Sequence, residues 1–138
     1  MELEIRVLIA DENSETRKNI REILQQRGCR VAGEAESGDT ALQMINNIPF
    51  DVVICDAWLS GIDGISLIKR VNSSKGSSAP AFILISQMAN QSIFVDANRA
   101  GAELCLIKPV DYSSLPDQVI TICKNRGIVR VISENDKK

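Results

Sequence analysis

Four apolar runs in this 138-residue chain each lead into a residue able to do chemistry. IRVLIA (Ile5–Ala10) runs into Asp11 and Glu12, and DVVIC (Asp51–Cys55) into Asp56. AFILI (Ala81–Ile85) runs into Ser86, and ELCLI (Glu103–Ile107) into Lys108 ahead of Pro109. Brought side by side, they form an acidic cluster with one fixed cation and one hydroxyl. Two carboxylates about 4 Å apart repel by roughly 4 kcal/mol at an effective dielectric of about 20. A divalent ion relieves that repulsion. An all-oxygen set with open positions suits Mg²⁺, which keeps several waters and shares its coordination with phosphate. Beside such an ion one carboxylate can attack a phosphoryl group and become an aspartyl phosphate. Asp56 is the candidate acceptor, with Lys108 and Ser86 contacting the phosphoryl oxygens by charge and by hydrogen bond.

The chain has no histidine, which removes Ser–His–Asp and Cys–His catalysis and any Cys/His zinc site. Phosphohistidine chemistry here must therefore use a partner's histidine. The cysteines at 29, 55, 105 and 123 form no CxxC pair and read as small buried thiols in a reducing cytoplasm. A net charge of −2 gives no case for nucleic acid or an anionic membrane as a direct partner. Met1–Arg6 carries two glutamates and does not look like a signal peptide, and no apolar run nears the roughly 18 residues of a membrane span. The localisation expected from this is cytoplasmic.

Parallel strands joined by helices would bring these residues together. The four runs are continuous and rich in β-branched residues, as strands covered on both faces are. Cys29–Ala35 (CRVAGEA) alternates more and reads as an edge. Between the strands, Ile20, Ile23 and Leu24 mark a first helix that Ser14 could cap and Gly28 stops. Ala41, Met44, Ile45 and Ile48 mark a second that ends at Pro49. Ile65, Ile68 and Val71 mark a third, Ile93, Ala97 and Ala100 a fourth, and Leu115, Val119, Ile122 and Cys123 a fifth. Asn72–Ser78 (NSSKGSS) reads as a polar surface loop. Five βα repeats predict an α/β fold, one domain over residues 1–127, with 128–138 a tail or the start of a linker. In such sheets ligands sit beyond the carboxyl ends of the strands, where these residues fall.

The set IADEN, CDAWLSGIDG, LIS, RAGAE and LIKP, with intervals of 45, 30 and 22 residues from Asp11 through Asp56 and Ser86 to Lys108, resembles the receiver domain of two-component response regulators. The resemblance covers essentially Leu3–Arg126. It implies a flavodoxin-like, doubly wound fold with a five-stranded parallel sheet of order 2-1-3-4-5. It implies Asp56 as phospho-acceptor and Asp11 and Glu12 as Mg²⁺-binding acids, Glu12 directly and Asp11 through water. The backbone carbonyl of Trp58 becomes a further metal ligand, Lys108 the phosphoryl partner and Ser86 the hydroxyl that moves to bond it. Asp63–Gly64 is implied as a structural turn, and Lys108–Pro109 as a cis peptide. The implied partners are a sensor histidine kinase or histidine phosphotransfer protein and a downstream protein or missing output domain, with room for a phosphorylation-dependent dimer. The chain would catalyse only its own phosphorylation and dephosphorylation.

Several residues depart from the family pattern. Glu12 replaces the commoner aspartate, Leu59–Ser60 stands for Met–Pro, and Gln87 follows Ser86 where a small residue is usual. Cys105 stands where many relatives carry Tyr or Phe, so the output shift is expected in the backbone of 86–100 rather than in an aromatic rotamer. Two other readings stay open. One is a receiver-like binding module that no longer responds to phosphorylation. The other is a Mg²⁺-dependent phosphohydrolase, which would want a second acid where Trp58 stands.

Overall fold

The computed structural model describes residues 4–128. The strands are β1 (Arg6–Ala10), β2 (Arg30–Ala35), β3 (Val52–Asp56), β4 (Ala81–Ser86) and β5 (Leu104–Ile107). The helices are α1 (Ser14–Gln26), α2 (Gly38–Asn47), α3 (Gly64–Lys75), α4 (Gln91–Ala100) and α5 (Leu115–Asn125). All pairings are parallel, in the order β2-β1-β3-β4-β5. This is the expected flavodoxin-like α/β fold. β3 and β4 are buried along their whole length, which is why they read as unbroken apolar runs.

Side-chain alternation divides the core into two halves. Leu8, Val53, Cys55, Phe82 and Leu84 face α2, α3 and α4 through Ala41, Ile45, Leu67, Ile68, Val71, Ala97 and Ala100. Val7, Ile9, Val52, Ile54, Ile83 and Ile85 face α1 and α5 through Ile20, Leu24, Leu115, Val119 and Cys123. Apart from Leu67, which the pattern did not mark, these helical residues are ones spaced for a 3.6-residue period.

Three local expectations need correction. Asn13, not Ser14, caps α1, with its side chain accepting from the N–H groups of Glu15 and Thr16 at 2.9 and 3.1 Å. The expected loop at Asn72–Ser78 is mostly helical, since α3 continues to Lys75 and Gly76–Ser78 makes a 3-10 turn. The helix persists because Asn72 has a tertiary partner: its Nδ2 donates to the Ala100 carbonyl at 2.9 Å. Cys29 precedes β2 rather than lying within it. The expected tail lies outside the described residues from position 129 onward.

None of the four cysteines is in a disulfide; Cys29, Cys55 and Cys123 are buried and Cys105 is half-buried. Burial raises the thiol pKa of Cys29, Cys55 and Cys105, so each stays protonated to higher pH than an ordinary thiol. At mildly alkaline pH a thiol-reactive dye should label the native protein slowly, and only at Cys105, while all four react fast in urea. Rapid labelling of the native protein at Cys55 would contradict its burial.

Candidate functional site

The strand ends are tied to each other beyond the last paired residues. Asp11 N–H donates to the Ala35 carbonyl at 3.0 Å, Ala57 N–H to Ile85 at 2.8 Å, and Lys108 N–H to Ser86 at 2.8 Å. These bonds set the backbones of the candidate residues in line with the sheet.

Asp56 ends β3 and is only 7% exposed. Its Oδ1 accepts the N–H of Trp58 at 2.8 Å, and its Oδ2 accepts Lys108 Nζ at 2.7 Å. Asp11, equally buried, accepts the Asn13 N–H at 2.8 Å and lies 3.6 Å from the same ammonium through Oδ2. Two acids 45 positions apart, one just after β1 and one ending β3, and a lysine after β5 thus converge on one point.

Burial and the neighbouring charges together set the pKa directions. Burial raises the Asp11 carboxyl pKa; the Asn13 hydrogen bond opposes this, Asp56 adds to it and Lys108 opposes it. Burial works against the Lys108 charge, but the hydrogen bond to Asp56 and the nearby carboxylates hold its pKa above the ordinary value. Tyr112 feels the same charges: burial raises its phenol, Lys108 lowers it, and the two carboxylates raise it.

Of the other expected residues, Trp58 meets Asp56 through its backbone N–H. Ser86 ends β4, fully buried, with its Oγ accepting the Met88 N–H at 3.0 Å and donating to the Met88 carbonyl at 3.4 Å. Its hydroxyl is thus turned into its own loop. Glu12 is exposed, as is Gln87. Trp58 is 64% exposed, and Met88 is 43% exposed. Lys108–Pro109 is cis. Asp63 caps α3, accepting the Ser66 N–H at 2.9 Å.

The donor set can be tested for Mg²⁺. Among the described residues no group of three His, Cys, Asp or Glu is arranged to hold a metal. Two carboxylates nevertheless share a single ammonium, which leaves one negative charge uncompensated in a buried place. Hard oxygen donors with such an excess fit Mg²⁺, an ion that commonly takes one or two carboxylates and fills its remaining positions with water and phosphate.

Glycine lets the loop at 57–63 approach its neighbours closely. A Cβ on Gly38 would collide with the Ile62 carbonyl oxygen, and one on Gly64 would stand 2.5 Å from the Asp56 carbonyl oxygen. Gly38 N–H donates to the Ser60 carbonyl at 3.0 Å, so Ser60 is held by α2. Leu59 and Ile62 anchor the same loop in the core.

Sequence reasoning missed Arg17. Its Nη1 donates to the carbonyls of Asp11 and Glu12 at 2.6 and 3.3 Å, while its Nε pairs with Glu34 at 3.3 Å. No short motif announces a side chain that reaches back to its own loop.

A model of the response regulator receiver domain matches residues 7–120. Chemotaxis protein CheY of Bacillus subtilis is 33% identical over 104 residues, covering 75% of this chain and 85% of that protein. CheY of Thermotoga maritima is 29% identical over 119 residues, covering 86% and 98% respectively. Among solved structures, the signal receiver domain of NarL from Mycobacterium tuberculosis superposes with a TM-score of 0.82 at 27% identity, over 89% of this chain and 98% of that one. The receiver domain of Francisella response regulator 1452 gives 0.81 at 25% identity, over 88% and 98%.

Proposed function

The chain belongs to the response regulator receiver domain family, and on that premise we propose that Asp56 accepts a phosphoryl group from a partner's phosphohistidine and thereby switches a partner-binding surface. The observation that carries this reading is the Lys108 ammonium held 2.7 Å from Asp56 and 3.6 Å from Asp11. No helix of the described residues is long and apolar enough to cross a membrane.

In the reaction an Asp56 carboxylate oxygen attacks phosphorus, an O–P bond forms, and the P–N bond to the partner's imidazole breaks. The electron pair returns to that nitrogen. Asp56 is held for attack by two donors, the Trp58 N–H and Lys108. Asp11, Asp56, the Trp58 carbonyl and Glu12 would hold Mg²⁺, which supplies positive charge to the carboxylates and the incoming phosphoryl oxygens. Lys108 follows the phosphoryl oxygens as the acyl phosphate forms. Ser86 reaches them by giving up its hydrogen bonds to Met88, which pulls on the segment entering α4.

The acyl phosphate then biases a two-state equilibrium. Moving a population from 1:99 to 99:1 takes about 5.5 kcal/mol of differential interaction. One neutral hydrogen bond contributes about 1 kcal/mol net. Ser86, Lys108 and the metal must therefore act together. The surface they move is α4, β5 and α5, read by a downstream protein or an output domain.

Incubation with acetyl phosphate and Mg²⁺, followed by weighing the intact protein, tests the reading. One stable added phosphoryl group supports it. Turnover of phosphomonoesters would favour a phosphohydrolase, and no change a binding module deaf to phosphorylation.

Trp58 and Met88 are large, apolar and exposed, and stand two residues beyond Asp56 and Ser86, where they flank the path of an attacking water. Slow hydrolysis follows from that cover. Trp58→Asn should shorten the phosphate lifetime about tenfold, which corresponds to ~1.4 kcal/mol of barrier. An unchanged lifetime would remove Trp58 as the cause.

A further inference from the structure

We propose that Arg17, braced by Glu34 of the edge strand, is a positioning residue for the acidic pair Asp11–Glu12, an inference that rests on reading those acids as the Mg²⁺ side of the site. Arg17 is the fourth residue of α1, a place where the helix dipole disfavours a cation. Its side chain is nonetheless largely buried, 17% exposed, and folds back toward the helix start. There it meets two carbonyls and one carboxylate.

Each contact has a structural consequence. One guanidinium nitrogen bonds the carbonyls of both Asp11 and Glu12, so two successive peptide planes turn their oxygens to the same side. That sets the backbone angles between them and hence the direction in which each acid leaves the chain. The Asp11 carboxylate has a second restraint in the Asn13 N–H. Glu12 has no side-chain partner among the described residues, so its aim depends on its backbone alone. Arg17 therefore acts most strongly through Glu12.

Glu34 completes the arrangement. It pairs with Arg17 Nε at 3.3 Å through one oxygen and with Arg21 Nη1 at 2.6 Å through the other. β2 is an edge strand outside the cluster of acids, yet through Glu34 it holds the residue that orients them. Arg17 Nε meets Glu34 as an ion pair without a hydrogen bond. A lysine at position 17 keeps the charge but lacks the planar fork that bonds the carbonyls with one nitrogen while setting another against Glu34.

The test is a titration with Mg²⁺ alone, followed by calorimetry and by Trp58 fluorescence, with urea unfolding measured on the same samples. Arg17→Gln and Arg17→Lys should weaken Mg²⁺ binding by roughly 10–100-fold, the range found for groups that orient metal ligands. Glu34→Gln leaves the arginine in place without its brace and should weaken binding by a smaller factor. It also decides the matter if the arginine variants fail to fold. Wild-type affinity in Arg17→Lys and Glu34→Gln, with only the urea midpoint lowered, would make Arg17 a structural residue and overturn the proposal. A wild-type protein that neither binds Mg²⁺ nor gains mass with acetyl phosphate would instead overturn the functional reading beneath it.

Discussion

Asp56→Asn should abolish phosphoryl incorporation completely while leaving a folded protein. The amide is isosteric with the carboxylate but is too poor a nucleophile to form the acyl phosphate. Removing one partner of a buried ion pair costs about 3–5 kcal/mol when the other charge is stranded. Here Lys108 is not stranded, because Asp11 already lies 3.6 Å from its ammonium and the repulsion between the two acids disappears with the substitution. The expected loss of stability is therefore below about 3 kcal/mol. Intact mass after acetyl phosphate and Mg²⁺, together with a urea titration, reads both outcomes. A variant that still gained one phosphoryl group would mean that the acceptor lies elsewhere.

The second large effect is structural and falls at Gly38. A methyl group there would occupy the space of the Ile62 carbonyl oxygen, so α2 and the loop at 57–63 could no longer touch. Overpacking costs about 1–3 kcal/mol, and the Gly38–Ser60 hydrogen bond that would break is worth about 1 kcal/mol more. Gly38→Ala should thus lose about 2–4 kcal/mol in urea unfolding. It should also accept phosphate more slowly, because Trp58, whose N–H fixes Asp56, belongs to the displaced loop. Wild-type stability in this variant would show that the loop gives way freely.

Much of this was legible in the sequence. The apolar runs of β1, β3 and β4 follow from burial on both faces, and helical spacing picked out Ile20, Leu24, Ile45, Ile68, Val71 and Val119 as core, while it passed over Leu67. The convergence of Asp11, Asp56 and Lys108 was foreseeable because parallel strands end on one edge. What escaped notice depended on contacts between distant residues. Asn13 and Ser14 are both good caps, and only the fold of the turn after Asp11 chooses between them. Asn72 reads as a loop residue until the end of α4 comes within reach of its amide. Arg17 reads as a solvated helix residue because its partners are carbonyls, which every residue carries, and Glu34 lies 17 positions away.

The amides of Asp11, Ala57 and Lys108 extend the sheet's ladder past the strand ends. The backbones of the reacting groups are therefore held by the sheet itself, although the chain leaves the strands there. Sequence drift on the outer faces of the helices can proceed without detuning the chemistry, whereas fraying of two neighbouring strands would extinguish it at a stroke.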